Sequence, residues 1–337
     1  MAKSRITNSK ITNMKKSLAI IGAGAWGSAL AIALSEKFEK IFLITKDKAN
    51  TKGLGNQHEA LSVPFNSNIS IGNSFEVIEE SHAVLIATPS SSFNSVLKNL
   101  SPHVKSKPIA WVTKGFDPDN GQLLHQSFSQ KFPSHHPCAI SGPTFAAEIV
   151  EKKPAAIVVA SQDKMTRDFW AETIQTSNLR AYTNSDIVGV QVGGSVKNIL
   201  AIAAGIANGL GFGANTQAAL ITRGLAEMTR LGEALGADKV TFQGLSGMGD
   251  LVLTCSDDLS RNRRFGKELA NNIPTDKALK NINATVEGFK ALELVIMIAN
   301  NHQIEMPICE QVLAVTEGRT TPREAVNELL LRKPSEE

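Results

Sequence analysis

Leu18-Ala19-Ile20-Ile21-Gly22-Ala23-Gly24-Ala25-Trp26-Gly27-Ser28-Ala29-Leu30 is the stretch on which the fold turns. An apolar run leads into three glycines. The small, helix-forming residues from Ser28 to Leu34 follow at once. Strand, glycine turn and helix are therefore read in direct succession. In that order each glycine has a task. Gly22 makes the tight turn, Gly24 lets the backbone approach a pyrophosphate, and Gly27 lets the helix pack against its strand. The N–H groups at the helix start then face the phosphates. The alternative is an ordinary strand-to-helix turn. The dinucleotide reading makes an oxidoreductase the first hypothesis.

The second strand, Lys40-Ile41-Phe42-Leu43-Ile44, bears on the choice of dinucleotide. An NAD site places an acidic residue at the end of this strand, about 20 residues after the glycines, to bond the ribose 2′-OH. Here Lys46 holds that place and Asp47 comes one residue later. A cation there suits a 2′-phosphate. The expectation leans to NADP(H), with NAD(H) use left open; a solvated loop lysine is the plain alternative.

The chain has 337 residues, enough for two domains and a substantial core. It is 42% hydrophobic and 20% charged, a soluble globular composition. A net charge of +3 is too small to argue for nucleic acid. Much of that excess lies in Lys3, Arg5, Lys10, Lys15 and Lys16. This segment lacks the apolar centre of a signal peptide, and residues 1–16 read as a disordered N-terminal extension. No run of roughly 18 apolar residues occurs, so no membrane span is expected. Cys138, Cys255 and Cys309 are odd in number and widely spaced, which fits a reducing cytoplasm and neither zinc nor a disulfide framework. The seven histidines are scattered, and no metal site is expected.

Further buried-strand runs are Ala83-Val84-Leu85-Ile86-Ala87, Pro108-Ile109-Ala110-Trp111-Val112, Cys138-Ala139-Ile140 and Ala156-Ile157-Val158-Val159-Ala160. Continuous apolar runs of this length predict strands covered on both faces of a parallel sheet. Their alternation with helices predicts a doubly wound α/β domain. From about residue 185 no convincing strand remains. Ile221, Leu225, Met228, Leu231 and Leu235 recur at helical spacing before Gly236, and Val286, Phe289, Leu292, Val295, Ile296 and Ala299 do the same. Pro322 opens a last short helix. The expected division is 17–188 for a Rossmann domain and 189–337 for an all-α domain, with a hinge between 183 and 191.

Hydride chemistry belongs to the nicotinamide, so the protein has to supply a proton donor and a substrate clamp. Three stretches of the second half qualify. In Gly193-Gly194-Ser195-Val196-Lys197-Asn198, a lysine and an asparagine interrupt an apolar helix. Desolvation would lower the lysine pKa, as a general acid requires; a lysine snorkelling at a helix rim is the plain reading. Gly247-Met248-Gly249-Asp250 places a carboxylate to orient Lys197 or to bond a substrate hydroxyl; the plain reading is a helix N-cap. Ser260-Arg261-Asn262-Arg263-Arg264 carries three guanidinium forks suited to a phosphate, against the plain reading of a solvated basic loop. Ser141-Gly142-Pro143-Thr144-Phe145-Ala146 follows a strand and reads as one more ligand contact or a simple turn.

Taken together with Trp111-Val112-Thr113-Lys114-Gly115, residues 209–223, Gly249-Asp250-Leu251-Val252-Leu253-Thr254-Cys255 and Val286-Glu287-Gly288, these motifs in this order resemble the bacterial type of NAD(P)-dependent glycerol-3-phosphate dehydrogenase. The resemblance covers nearly the whole chain after Lys16. It implies reversible reduction of dihydroxyacetone phosphate to sn-glycerol 3-phosphate, the backbone precursor of glycerophospholipids. It implies a helical half built like the C-terminal domain of 6-phosphogluconate dehydrogenase. It implies Lys197 as proton donor, Lys114 as stabiliser of the oxyanion, and Asp250 beside them. Substrate contacts would be Lys114, Gly142, Thr144, Lys197, Asn198, Asp250, Thr254, Ser260, Arg261 and Asn262. Cofactor contacts would be Gly22, Gly24, Ala25, Trp26, Gly27, Lys46, Lys114, Ala146, Arg261 and Glu287. The sequence leaves the oligomeric state open; the apolar helices of the second half are candidates for pairing in a homodimer. Two rival readings are a hydroxyacid or 6-phosphogluconate type of dehydrogenase and a silent NAD(P)-binding sensor. Neither accounts for the Ser260-to-Arg264 cluster together with the Lys114/Lys197 pair.

Overall fold

The structure, a computed structural model, describes residues 15–46 and 48–331. Asp47 lies outside the described residues. Eight strands form one sheet: β1 (Lys15–Ile21), β2 (Phe38–Ile44), β3 (Ile69–Gly72), β4 (Ala83–Ile86), β5 (Ile109–Trp111), β6 (Ala139–Ser141), β7 (Ala155–Ala160) and β8 (Leu179–Asn184). Their order is β3-β2-β1-β4-β5-β6-β7-β8. The order reverses beside β1, which is the switch point where a doubly wound sheet opens a crevice for its ligand.

Helices α1 (Ala25–Leu34), α2 (Lys48–Leu54), α3 (Phe93–Leu100), α4 (Leu124–Lys131), α5 (Ala146–Val150) and α6 (Lys164–Ile174) are interleaved with the strands. Alternate strand residues enter two different cores. Leu18, Ile20, Leu43 and Leu85 pack with Leu30, Leu34, Trp170 and Ile174 on one face. Ala19, Ile21, Ile44 and Ile86 pack with Phe93, Val96, Leu97 and Phe128 on the other. Burial on both faces is why these strands read as unbroken apolar runs.

Three expectations need correction. β1 begins at Lys15, which pairs with Phe38, so Lys15 and Lys16 belong to the sheet and not to an extension; residues 1–14 lie outside the described residues. The sheet is not parallel throughout, because β7 runs antiparallel to β6 and β8 follows β7. The link between β6 and β7 holds only the five-residue α5, too short to carry the chain back along the sheet. Finally, β3 and β8 are additional edge strands. Their residues are mostly half-exposed or exposed, so neither shows the apolar run of a buried strand.

After β8 the chain is helical: α7 (Ile187–Gly209), α8 (Ala214–Ala234), α9 (Lys239–Phe242), α10 (Asp250–Ser256), α11 (Arg261–Ala270), α12 (Thr275–Ile282), α13 (Glu287–Asn301), α14 (Pro307–Thr316) and α15 (Pro322–Leu330). Asp186 caps α7, its carboxylate accepting from the Gly189 N–H at 2.8 Å. α7 is apolar and long enough to cross a membrane, yet 94% of its apolar window is buried inside the fold. It is the central post of the second core, where Val192, Val196, Ile199 and Ile202 meet Met228, Leu251, Phe265 and Val295. α7 and α11 touch backbone to backbone: a Cβ on Gly205 would lie 2.0 Å from the Arg263 carbonyl oxygen, and one on Gly266 would lie 2.1 Å from that of Ile202. This close crossing presents the first turn of α11 to the polar side of α7.

Candidate active site

Loops at residues 22–24, 87–90, 113–115 and 142–144 leave the carboxyl ends of parallel β1, β4, β5 and β6. They share one edge of the sheet for that reason. In the glycine turn, Gly22 has φ +112 and its Cβ would fall 2.5 Å from the Ala87 carbonyl oxygen. A Cβ on Gly27 would fall 1.9 Å from the carbonyl oxygen of Gly22, so any side chain there would force α1 off the turn. Gly24 differs: nothing among the described residues lies within 4 Å of where its Cβ would be. It caps α1 without a side-chain acceptor, which leaves the first N–H groups of a ten-residue helix unclaimed among the described residues. Beside Gly22, the buried Thr88 hydroxyl has no hydrogen-bond partner among the described residues. Open space, free helix N–H groups and an orphaned hydroxyl together fit the pyrophosphate of a dinucleotide. Trp26 and Ala146 are half-buried and pack in one small cluster beside α1. Lys46, just past β2, is exposed.

Facing this edge, the helical half contributes Lys197 from α7 and Asp250 from the first turn of α10. Asp250 is 1% exposed and binds two lysines, one on each carboxylate oxygen. Lys197 Nζ lies 2.5 Å from Oδ1 and Lys114 Nζ lies 2.6 Å from Oδ2. Lys197 also donates to the Thr254 hydroxyl at 2.8 Å, and that hydroxyl donates to the Asp250 carbonyl oxygen at 2.6 Å. Asp250 is thus no helix cap; Gly249 holds that position, and the carboxylate is engaged by the two ammonium groups. Nor does Lys197 snorkel, since its side chain is 8% exposed.

Two cations share one anion, so the cluster keeps a net positive charge in a region sheltered from water. The third N–H of Lys197 has no partner among the described residues, and it is aimed by the other two bonds. Burial pushes the Lys197 ammonium down to about 8; the Asp250 carboxylate opposes this and the Lys114 charge adds to it. The arrangement can hold a proton near neutral pH and release it to an oxygen that is gaining negative charge.

The lining continues on neighbouring elements. Gly194 lets the stem of Lys114 and the Ser141 hydroxyl approach α7, at 3.5 and 2.9 Å from where its Cβ would be; Ser141 Oγ is itself buried without a partner among the described residues. Gly142 has φ +147, and the Thr144 hydroxyl donates to its carbonyl oxygen at 3.4 Å. Glu287 opens α13. Burial raises its carboxyl, while the charges of Lys114, Lys197, Arg261 and Lys290 oppose the rise. It shares a cavity of about 50 Å³ with Ser90, Lys114, Ser195, Asn198 and Lys290.

The basic cluster divides in a way the sequence reading missed. Ser260 caps α11 by accepting from the Arg263 N–H. Arg263 pairs with Asp258, which also holds Lys267, so Arg263 is withdrawn from any three-arginine clamp. Arg264 is exposed. Arg261 is half-buried with no partner among the described residues, and it stands near enough to His58 of the first half to depress that imidazole in addition to the larger effect of burial. Asn262 is spent largely inside the protein: Nδ2 donates to Asn198 Oδ1 at 3.1 Å, and Oδ1 accepts from the Gly288 N–H at 2.9 Å. Ser195 was also missed; its hydroxyl joins α7 to the Lys114 loop. Only knowledge of which loop crosses α7 could have revealed it.

Comparison with known proteins identifies the family. The family profile for NAD-dependent glycerol-3-phosphate dehydrogenase N-terminus matches residues 17–167, and that for the C-terminus matches 186–327. The chain is similar to a protein named glycerol-3-phosphate dehydrogenase [NAD(P)+] from Ruthia magnifica, with 57% identity over 96% of this chain and 100% of that one. It is 55% identical to a protein of the same name from Vesicomyosocius okutanii, over 95% of this chain and 98% of the relative. The crystal structure of glycerol-3-phosphate dehydrogenase from Coxiella burnetii superposes with a TM-score of 0.90 at 38% identity, covering 95% of this chain and 100% of that one.

Proposed function

The chain belongs to the NAD-dependent glycerol-3-phosphate dehydrogenase family, and from that premise we propose how its own residues divide the work. The protein is an NAD(P)-dependent oxidoreductase that reversibly reduces dihydroxyacetone phosphate to sn-glycerol 3-phosphate, the backbone of glycerophospholipids. The observation that carries the assignment of roles is the buried carboxylate of Asp250 with an ammonium group on each oxygen.

Bound dinucleotide supplies the hydride. Gly22, Gly24, Ala25, Trp26 and Gly27 cradle its phosphates at the α1 N-terminus, and Lys46, Ala146 and Glu287 complete its contacts. Lys46 favours the 2′-phosphate of NADPH over the bare ribose of NADH. Lys197 gives its remaining proton to the ketone oxygen as that oxygen becomes an alkoxide. Lys114 lends a second positive charge to the same oxygen. Asp250 holds the proton on Lys197 and aims both ammonium groups, and Thr254 holds the other side of Lys197. Arg261, aided by Ser260 and Asn262, takes the substrate phosphate, while Asn198, Gly142 and Thr144 shape the slot between. In glycerol 3-phosphate oxidation the proton returns to neutral Lys197.

The test is the rate of NADPH oxidation with dihydroxyacetone phosphate, run beside NADH and beside unphosphorylated dihydroxyacetone. Rapid turnover with the phosphorylated ketone alone is expected, faster with NADPH. Cofactor binding without turnover would leave a silent sensor. Removing the phosphate clamp gives a finer check. Arg261→Ala is expected to raise the KM for dihydroxyacetone phosphate by about ten- to a hundredfold, the scale of one hydrogen-bonded charge pair. Some loss in kcat should accompany it, because remote phosphate binding also orients the ketone. A normal KM would remove Arg261 from the substrate site.

The reading extends to assembly and location. A groove of about 1030 Å³ runs along α7, α8, α14 and α15, lined by Ile206, Leu220, Ile308, Val312, Val315 and Leu329. Leu330 and Leu331 project beside it at 75% and 78% exposure. Apolar surface of this kind fits the matching face of a second copy; sedimentation as a monomer at micromolar concentration would dismiss the homodimer. Cys138, Cys255 and Cys309 are free and buried, which supports a reducing cytoplasm.

A further inference from the structure

We propose that Ser195 is a positioning residue for Lys114: its hydroxyl ties the Lys114–Gly115 backbone to the same helix that carries Lys197, so that both ammonium groups ride on one rigid support. This deepens the mechanism above and rests on it.

Ser195 lies on α7, two residues before Lys197, and is 1% exposed. Its Oγ accepts the Gly115 N–H at 2.9 Å and donates to the Gln191 carbonyl oxygen at 2.7 Å. Both capacities of the hydroxyl are therefore used in fixed directions. Gln191 is held in turn, its side-chain amide donating to Ile187 O at 3.0 Å and its oxygen accepting the His125 N–H at 3.1 Å. The support beneath Ser195 is thus anchored on α7 and α4 together.

The loop end of the contact is equally confined. Gly115 has φ +120, and a Cβ there would lie 2.8 Å from Ser90 Oγ. The carboxylate of Asp250 grips only the tip of Lys114, at the end of a four-carbon stem with many rotamers. Fixing the backbone at the root of that stem limits where the tip can stand. A buried N–H left without its acceptor would draw the loop elsewhere. Reactant misplacement of about 1 Å can cost up to a hundredfold in rate.

The charged groups around Lys197 are Lys114 from the β5 loop, Asp250 from α10 and Glu287 from α13, with Cys255 beside them. Lys114 is the one that pushes the Lys197 pKa down by charge. Displacing Lys114 should relax that push. In Ser195→Ala, kcat for reduction should fall by roughly ten- to a hundredfold. The alkaline limb of its pH profile should move upward. Ser195→Thr keeps the hydroxyl and should recover most of the rate and restore the limb. A second readout needs no activity: hydrogen exchange of the Gly115 amide in the full chain should quicken at least about tenfold in Ser195→Ala, with α7 amides unaltered. Wild-type turnover of dihydroxyacetone phosphate tests the underlying mechanism separately, since its failure would leave the exchange result standing. Wild-type kcat and limb in Ser195→Ala, or equal losses in the Ala and Thr variants with Gly115 exchange unchanged, would overturn the proposal.

Discussion

Lys197→Ala is expected to reduce turnover by about a hundredfold or more, the range that general acid–base catalysis supplies, while the protein stays folded and still binds NADPH. The fold survives because Asp250 is not stranded: Lys114 remains on its second oxygen at 2.6 Å. What is lost is the one N–H directed at the substrate oxygen. The pH profile of the wild type carries the same signature. With Lys197 titrating at about 8, reduction needs the protonated amine, so its rate falls as pH rises through about 8. Oxidation needs the neutral amine, so its rate rises through the same region. Both inflections should vanish in the variant. Stopped-flow kinetics in the two directions would read this directly, and unaltered turnover would take Lys197 out of the mechanism.

Asp250→Asn should be harsher, because it removes the carboxylate that Lys197 and Lys114 both engage. Breaking a buried ion pair from one side costs about 3–5 kcal/mol. Lys197 and Lys114 have side chains only 8% and 17% exposed, so water can replace little of what is lost. Stability in urea should drop accordingly. Asp250 is also the group that holds the Lys197 proton on against burial. Without it the Lys197 pKa falls further, the amine is neutral at neutral pH, and reduction should fall by about a hundredfold or more. The alkaline limb should move to lower pH, opposite to its expected movement in Ser195→Ala. Partial recovery of reduction in mildly acidic buffer would follow from the same cause. A variant with wild-type stability and an unmoved limb would mean that the three side chains do not act as a unit.

The Rossmann half was legible because its signals are local. Apolar runs, a glycine turn and the start of a small-residue helix lie within one short stretch, and each obeys the geometry of its own backbone. The helical half announced itself through 3.6-residue periodicity, as in α8 and α13. Individual site residues were legible where their chemistry clashed with their neighbours, as a lysine does inside α7. The edge strands β3 and β8 were not, because half-exposed strands carry mixed residues that resemble loops. The reversal at β7 was hidden because direction depends on how far the connecting segment travels, not on the strand's own composition.

Partnership was harder still. The role of Lys114 came from the family resemblance, and nothing near it in the chain points to Asp250. The three arginines between Ser260 and Arg264 look alike in the sequence, yet Asp258 claims Arg263, and Arg261 has no partner among the described residues. Ser195 has an ordinary appearance in sequence and gains its task only from Gly115 crossing α7. Backbone form follows from short-range sterics and burial, which residue order encodes directly. The pairing of charges across 136 and 53 residues of chain follows from how three separate elements pack, and only the folded molecule decides it.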